Sequence, residues 1–515
     1  MNSFIQAHLS KVTGMVSGWD RLRFRGTIRM LANVAGLWRF LRFTGRVLLK
    51  DFGQHAEELS QQTRKQSLAV AEAQGRPVVH LQSPNVCKED VAREIQRRDR
   101  IKEGLICVLT AVEPCWTFNI KSNQASGKLE LVHGYRKCQH LYHYMQHREF
   151  GFMHVRQQTW LPFNQFVMIN GREWLGRQMD RAGIKYLRRE NCFAWVSDVA
   201  RAQELLAQQV SFNWTAALDE LSAQVNPAWE SLREDCRIGY YWSLDESEWA
   251  SDVMFKDHQE LTRLYGRLLR HGIEALGSKD VLRFLGRPVK RGIEPRLVAE
   301  VVSDLKHRAE GIRIKHRVGA NSVKMYNKQQ TVLRVETTLN NMRDFKAPQM
   351  KDGKVVWRPM RKGVSDIVRR AELSEASNQR YLEAMAVVES PLVLKELVKG
   401  LAQPVVKDGR RARGLNLLGQ DARVLEIVGD GKFLLNGLRN KDLQALLFGV
   451  PAADAAEARR RSGQVTRQLW RLRAHGIIRK VPRTHRYLVT DQGRNLITAL
   501  QAAREADVTK LAQAA

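Results

Sequence analysis

The run Lys324-Met325-Tyr326-Asn327-Lys328 and the run Arg334-Val335-Glu336-Thr337-Thr338 each alternate polar and apolar residues. Period two places Lys324, Tyr326 and Lys328 on one face of a strand, and Arg334, Glu336 and Thr338 on one face of the next. A tyrosine, two lysines, an arginine and a glutamate can then meet on one surface. That set suits phosphoryl transfer. A tyrosine hydroxyl can attack a phosphodiester, a carboxylate can hold a divalent metal such as Mg2+ or Mn2+, and the cations can stabilise the pentavalent charge. The same residues also make an ordinary half-buried sheet in which Glu336 pairs with Arg334 or Lys328.

Two further acids stand in strand-like contexts. Glu113 follows the apolar run Leu105 to Val112, which places it at a strand terminus, and Asp20 lies in Gly18-Trp19-Asp20-Arg21. An acid at the end of an apolar strand is how two-metal nucleases and transposases present metal ligands; for Asp20, pairing with its arginine neighbours is the rival role. The histidines of Cys138 to His147 are a third candidate. On a helix, His140, His143 and His147 share one face and form a metal patch. On a strand, His140, Tyr142 and Tyr144 align instead as a polar-aromatic face for stacking on bases, and ordinary structural histidines fit as well. From Arg343 to Lys362, basic residues that include Arg358 and Arg361 are interleaved with Phe345 and Trp357, against Asp344 and Asp352. Such a mixture suits single strands or flipped bases, and equally a solvated loop.

The charge of the chain names a class of partner. Lys and Arg number 84 against 54 Asp and Glu, a net charge of +30, so the partner is expected to be polyanionic. Nucleic acid is preferred to a membrane surface because the charge is spread over the whole length rather than flanking one amphipathic anchor. With 43% hydrophobic residues and 13 prolines, general disorder is excluded, and 515 residues suggest two to four folding units. The apolar runs are too short for a spanning helix, and the N-terminus lacks an export pattern. Six scattered cysteines without a C-x-x-C pair fit a reducing, cytoplasmic setting.

The elements that must position these residues follow from periodicity. Asp20 to Arg25, Pro77 to Leu81, Leu105 to Val112, Lys128 to Val132, Gly151 to Thr159 and Phe166 to Ile169 read as strands, with helices around 52–73 and 88–102 and from Arg172 to Ala182. Residues 198–300 read as mostly helical. Ile312 to Val318, Val323 to Lys328 and Val332 to Leu339 read as a three-stranded meander, followed by a helical segment from Asp366 to Val398. The expectation is an α+β multidomain protein: an N-terminal α/β domain over 1–235, a helical plus β-meander domain over 236–398, a basic linker over 399–420 and a final domain over 421–515.

That last domain has the most specific pattern. Arg439 to Leu447 reads as a helix capped by Asn440, and Gln464 to Ala474 as a second helix stopped by Gly476. Two short strands, Ile477 to Val481 and His485 to Val489, and a last helix complete a winged helix-turn-helix. The string Leu472 to Thr490 resembles the MarR and ArsR class of bacterial winged-helix domains. The resemblance implies that Gln464 to Ala474 is the recognition helix and that Pro482 to His485 is a wing lying along phosphates. Between Arg459 and Arg486 ten basic residues occur with no acid, which supports phosphate contact independently. Gln464, Arg467, Arg471, Arg473, Arg479, Lys480, Arg483, His485 and Arg486 are the candidate DNA contacts there, with Lys324, Lys328, Arg358 and Arg361 further back; Arg459 to Arg461 precede the helix as an arm.

Lys324 to Lys328 followed by Arg334 to Glu336 also resembles the R-x-Y-x-K and R-x-E strands of plasmid rolling-circle replication initiators, with Lys in place of the first Arg. The His-hydrophobe-His metal strand of that wider class is missing. No P-loop, dinucleotide-binding or H-E-x-x-H motif is present, which argues against the usual NTPase, Rossmann and zincin chemistries. The function expected is DNA binding in a mobile genetic element, of transposase, recombinase or replication-initiator type, with metal-dependent nicking or strand transfer. Double-stranded DNA is the expected partner, with single-stranded DNA or RNA open for the N-terminal part, and an oligomer is compatible with the pattern. The alternative is a non-enzymatic winged-helix regulator or an RNA-binding protein.

Overall fold

Alternation of large apolar with charged side chains dictates long strands, and the longest such runs build the centre of the protein. The computed structural model describes residues 2–83, 85–226, 239–287, 301–308, 311–351, 354–389, 394–417, 419–430, 433, 437–482 and 484–505. Strands β1 (Val12–Thr27), β2 (Val78–His80), β3 (Gly104–Asn123), β4 (Lys128–His147), β5 (Gly151–Gln158) and β6 (Gln165–Asn170) are followed by a small hairpin, β7 (Tyr186–Arg189) and β8 (Cys192–Val196). Then come β9 (Tyr241–Phe255), β10 (Val301–Arg308), β11 (Gly311–Val318), β12 (Asn321–Lys328) and β13 (Val332–Leu339). All but β7 and β8 join one sheet of eleven strands, ordered β10-β11-β12-β13-β9-β1-β6-β5-β4-β3-β2. Only β2 and β3 run parallel. The protein is thus a mixed α/β chain built on one large mixed sheet.

The boundary expected at residue 235 does not divide this sheet. β9 pairs along β1 from Thr27↔Tyr241 to Val12↔Phe255, so segments on either side of 235 are neighbours at the sheet centre. The helical reading of 198–300 holds for Val199–Ser211, Trp214–Val225, His258–Glu274 and Ser278–Phe284. It misses β9, where Ser243, Ser247 and Ser251 dilute the alternation.

One face of the sheet is apolar. Val253, Val323, Met325, Leu333 and Val335 pack under the helices His258–Glu274 and Ile367–Met385, while Trp19, Leu22, Phe24 and Trp249 pack against Trp214 and Leu218. Each large side chain removed from water there contributes about 1.5–3 kcal/mol before chain entropy is counted. Elements also cover parts of the other face. The helices Gly171–Arg181 and Val199–Ser211 with the β7–β8 hairpin bury Val16, Met254 and Val332. The helix Lys88–Arg98 buries Leu109, Ala111, Tyr142 and Tyr144. Between these covers lie Arg21, Arg23, Arg25, Glu246 and Glu248, all half-exposed.

Beyond β14 (Lys346–Lys351) and β15 (Lys354–Pro359), which pair with each other, the chain enters a second core. Its centre is Leu425, Leu443, Val465, Leu469, Leu472, Ile477 and Leu496. The segment expected to be a linker, 399–420, belongs to that core. The helix Leu394–Ala402 leads into a hairpin of β16 (Val405–Lys407) and β17 (Arg410–Ala412), turned at Gly409 with φ 71°, and Leu401, Leu415 and Leu417 are buried. Their apolar side chains, not the basic residues between them, decide the outcome. The helices Asn440–Phe448 and Ala455–Ala474 follow, then a three-stranded sheet in which β20 (Arg486–Val489) lies between β18 (Leu438–Arg439) and β19 (Ile478–Lys480), and the helix Asp491–Glu505. Arg459 to Arg461 lie within a helix rather than on an arm, because Asp454 caps it by accepting from the Glu457 N–H.

Candidate functional site

Three carboxylates converge on the polar face: Asp20 from β1, Glu248 from β9 and Glu336 from β13, each offering an oxygen within 4.8 Å of the others. Local structure explains how. The β1–β9 register slips between Trp19↔Trp249 and Arg21↔Glu248, leaving Asp20 as the extra residue of a bulge. A bulge re-aims a side chain, and here Asp20 and Arg21 both reach the face that carries Glu248. Glu336 reaches that face by plain alternation, since Val335 points into the apolar core.

Charged partners surround the triad. Arg21 pairs with Glu248 at 2.9 Å, and Lys324 stands 3.2 Å from Glu248 while also pairing with Glu336. The Tyr326 hydroxyl donates to Glu336 Oε2 at 2.8 Å. Arg334 Nη1 donates to Asp20 Oδ1 at 3.1 Å, and Asn191 Nδ2, from the tip of the β7–β8 hairpin, donates to the same oxygen at 3.0 Å. Behind the triad, fully buried Asp252 accepts from Arg334 Nε at 2.5 Å and from Arg172 Nε at 2.9 Å. Arg172 gets there because its helix begins directly on β1: a Cβ at Gly171 would sit 1.7 Å from the Trp19 carbonyl oxygen.

The ionisation of these groups follows from their neighbours. Burial, and then the charge of Glu336, push Glu248 up to about 7. Burial opposes ionisation of Glu336 as well, but Lys324, Arg334 and the Tyr326 hydroxyl outweigh it and bring that carboxyl to about 2. Asp252 is likewise held at about 2, burial being outweighed by Arg172 and Arg334. Burial and the adjacent Glu336 carboxylate raise Tyr326 well above the ordinary phenol range, so its hydroxyl keeps its proton.

The expected surface of Tyr326, Glu336, Lys324 and Arg334 therefore exists, and Asp20 joins it, but it is buried rather than solvated. Lys328 and Arg334 are buried as well, which removes Lys328 from any exposed nucleic-acid contact. Glu113 is elsewhere. It lies mid-strand, because β3 continues to Asn123, and four strands from β1, about 19 Å away at ~4.8 Å per strand. It accepts from the Tyr142 hydroxyl at 2.6 Å and pairs with Lys88 at 3.1 Å and Arg156 at 3.3 Å.

The histidine patch is overturned. β4 pairs with β3 from Lys128 to Gln146, so these residues are strand and not helix, and His140 and His143 point to opposite faces. His143 contacts Ser67 Oγ at 3.0 Å, His140 contacts the Cys138 carbonyl oxygen at 3.3 Å, and the His147 ring accepts from the Glu149 N–H at 3.1 Å. Burial lowers His140 and His143 to about 4, so both are neutral. The stacking alternative fails too, because Tyr142 and Tyr144 are buried beneath the helix Lys88–Arg98. Among the described residues, the triad is the one group of three His, Cys, Asp or Glu side chains with ligand atoms brought together.

In the C-terminal region Gln464, Arg467, Arg479, Lys480 and His485 are exposed and Arg486 is half-buried. Arg473 is half-exposed and pairs with Asp408 at 3.0 Å. Arg471 is not available to a ligand: it falls on the inward stripe beside Leu472 and pairs with buried Asp421. Arg483 lies outside the described residues. Arg358 and Arg361 are exposed, next to exposed Trp357.

Glu248, Asp252, Arg172 and Asn191 were not legible as site residues. The signal for two of them is present in β9, where Glu246, Glu248 and Asp252 fall at even positions and Trp249 and Val253 at odd ones. Asn191 and Arg172 reach the site only through tertiary packing. Comparison with protein-family models, with curated proteins and with solved structures gives no match.

Proposed function

We propose that this chain processes nucleic acid, hydrolysing phosphodiester bonds with a divalent cation held by Asp20, Glu248 and Glu336. The observation that carries the reading is the approach of three carboxylate oxygens to within 4.8 Å of one another. All three donors are hard oxygens, the ligand type that Mg2+ and Mn2+ take. Burial and the nearby charge of Glu336 raise Glu248 to about 7, and a cation bound there offsets the like-charge part of that cost. Bound there, the cation supplies Lewis acidity and lowers the pKa of water.

The chain's own residues do the rest. Lys324 and Arg21 stand beside the carboxylates, where negative charge develops on a phosphorane. Arg334 and Asn191 orient Asp20. Tyr326 is a positioning residue: its hydroxyl is buried, protonated and committed to Glu336, which favours water over tyrosine as nucleophile and separates the site from covalent phosphotyrosine chemistry.

The C-terminal region we read as a winged helix-turn-helix, with Ala455–Ala474 as recognition helix and the β19–β20 hairpin as wing. Exposed Gln464 and Arg467 then face base edges, and Arg479, Lys480 and Arg486 face phosphates. The β11–β12–β13 strands correspond to the meander. Together these parts suit a protein of a mobile element that finds a DNA site and cuts it. Incubation with supercoiled plasmid and Mg2+ or Mn2+ is the test: nicking is expected, and its loss in Asp20→Asn, Glu248→Gln and Glu336→Gln. A second reading, a binding protein without chemistry, is favoured by the pairing of four carboxylates with four cations, Arg21, Arg172, Lys324 and Arg334. Absence of nicking with either metal would select it.

A further inference from the structure

Cations without acidic partners flank the triad on both sides of the polar face. On β11, Lys315 is half-buried and Arg317 exposed, and neither side chain has a hydrogen bond or ion pair among the described residues. Lys315 stands opposite Lys324 in the β11–β12 register and between Arg313 and Arg317 on its own strand. Its one acidic cross-strand neighbour, Asp304, is engaged by Arg313 at 3.1 Å. Burial and this crowding of positive charge lower its pKa. On β1, half-buried Arg25 likewise has no acidic partner among the described residues; its guanidinium lies over Phe166, at 5.9 Å, beside those of Arg23 and Arg156 over the same ring at 5.0 and 4.1 Å.

Register fixes the spacing. Arg317, Ser322, Thr338, Glu248 and Arg21 form one cross-strand row. Its ends are four strands apart, about 19 Å at ~4.8 Å per strand. Arg25 lies four residues along β1 from Arg21, so the free cations at the two ends are about 23 Å apart, with the carboxylates to one side of the line that joins them. A mononucleotide cannot touch both ends. A chain of negative charges can satisfy both ends and reach the triad by bending from Lys315 past Glu336 and Glu248 to Arg21 and Arg25.

We propose that this face is a polynucleotide track on which the chain lies across the strands, with one internal phosphodiester over Asp20, Glu248 and Glu336, flanking phosphates on Lys315 and Arg317 at one side, and flanking phosphates on Arg25 at the other. The proposal rests on the metal-dependent reading of the triad for its cleavage step and adds the path of the substrate: which cations hold the phosphates on either side of the cleaved internal bond. In the step, water attacks phosphorus and gives up a proton to solvent, one P–O bond forms, the bond to the leaving sugar oxygen breaks, and that oxygen takes a proton from solvent. No oxidant or further reactant is needed.

Binding can be measured apart from cleavage, with the full chain in EDTA and a short labelled single strand and duplex titrated over a salt series. The triple variant Arg25→Ala, Lys315→Ala, Arg317→Ala is expected to lower the steepness of the log K against log salt plot by roughly 0.7 per lost contact for single strands and about 0.9 for duplex. Arg25→Lys with Arg317→Lys should keep the wild-type slope. An unchanged slope in a triple variant that melts like the wild type overturns the track; Lys315→Ala alone serves if the triple variant does not fold. With metal added, covalently closed circles should be cut. Trimming of linear ends without cutting of circles overturns the internal-bond assignment. A lowered slope with no cleavage in any metal leaves the track standing and removes the hydrolytic reading.

Discussion

Glu113 and Glu248 are both largely buried glutamates on the polar face of one sheet, with side chains 19% and 14% exposed, yet they are pushed in opposite directions. Glu113 faces the Tyr142 hydroxyl, Lys88 and Arg156 with no second carboxylate beside it among the described residues, and despite its burial it is held below the ordinary carboxylate range. Glu248 is more deeply buried and faces Glu336 and Asp20 as well as cations, and burial followed by the charge of Glu336 raises it to about 7. What an acid can do is therefore decided by the balance of burial and neighbouring acids against cations, for Glu336 in the same triad, though buried, is brought to about 2 by Lys324 and Arg334. A lone carboxylate among cations is satisfied and structural. Three that share a few ångströms are left competing for counter-charge, the condition in which a cation binds.

The contrast can be broken most severely through stability. Arg334→Ala is expected to cost about 3–5 kcal/mol in urea unfolding, because it leaves buried Asp252 and Asp20 without their shared partner. Arg156→Ala, which leaves Glu113 its Lys88 partner and the Tyr142 hydroxyl, should cost about 0–1 kcal/mol. Equal losses would mean that the two sites are the same kind of ion pairing.

Activity comes next. Asp20→Asn should lower metal-dependent nicking about a hundredfold or more, the rate equivalent of several kcal/mol, whereas Glu113→Gln should leave it unchanged. A loss in both, with melting unaffected, would restore Glu113 to the site.

Ligand linkage sharpens the comparison further. Mn2+ at a hundredfold excess over its dissociation constant should stabilise the wild type by about 2.7 kcal/mol, read as a rise in Tm. Glu248→Gln should abolish most of that shift, and Glu113→Gln none of it.

The smallest effect is in pH dependence without metal, and its sign differs between the two glutamates. Glu248 is raised in the folded state, so its protonation favours folding at low pH, and that contribution is lost as pH rises from about 4.5 through about 7. Glu113 is lowered, so its contribution is present above about 4.5 and is lost as pH falls. Above pH 7, Glu248→Gln should therefore raise Tm and Glu113→Gln should lower it. A fall in both would show that Glu248 is held by its cations in the same way as Glu113.

Much of this architecture was legible, and the reasons for the misses are physical. Period two places Lys324, Tyr326, Arg334 and Glu336 on a common face because strands β12 and β13 obey it without a slip. The helix after Asn170 and its stop at Gly183, with φ 68°, follow from cap chemistry that acts within a few residues. What the sequence hides is long-range pairing. Nothing local says that β9 lies beside β1, that a bulge turns Asp20 toward it, or that a hairpin tip delivers Asn191. The histidines mislead because their spacing fits a helix, while the pairing of β4 along β3 decides their geometry. Arg471 misleads because a basic strip reads as exposed until the inward stripe of its helix is known.

The claim that three carboxylates form one cation site is tested most directly by calorimetric titration of Mn2+ into the full chain and into Glu336→Gln. A saturable site is expected in the wild type at neutral pH, with protons released as Glu248 ionises, and its loss is expected in the variant while the melting transition persists. No binding to the wild type, or the same binding to both proteins, would contradict the account.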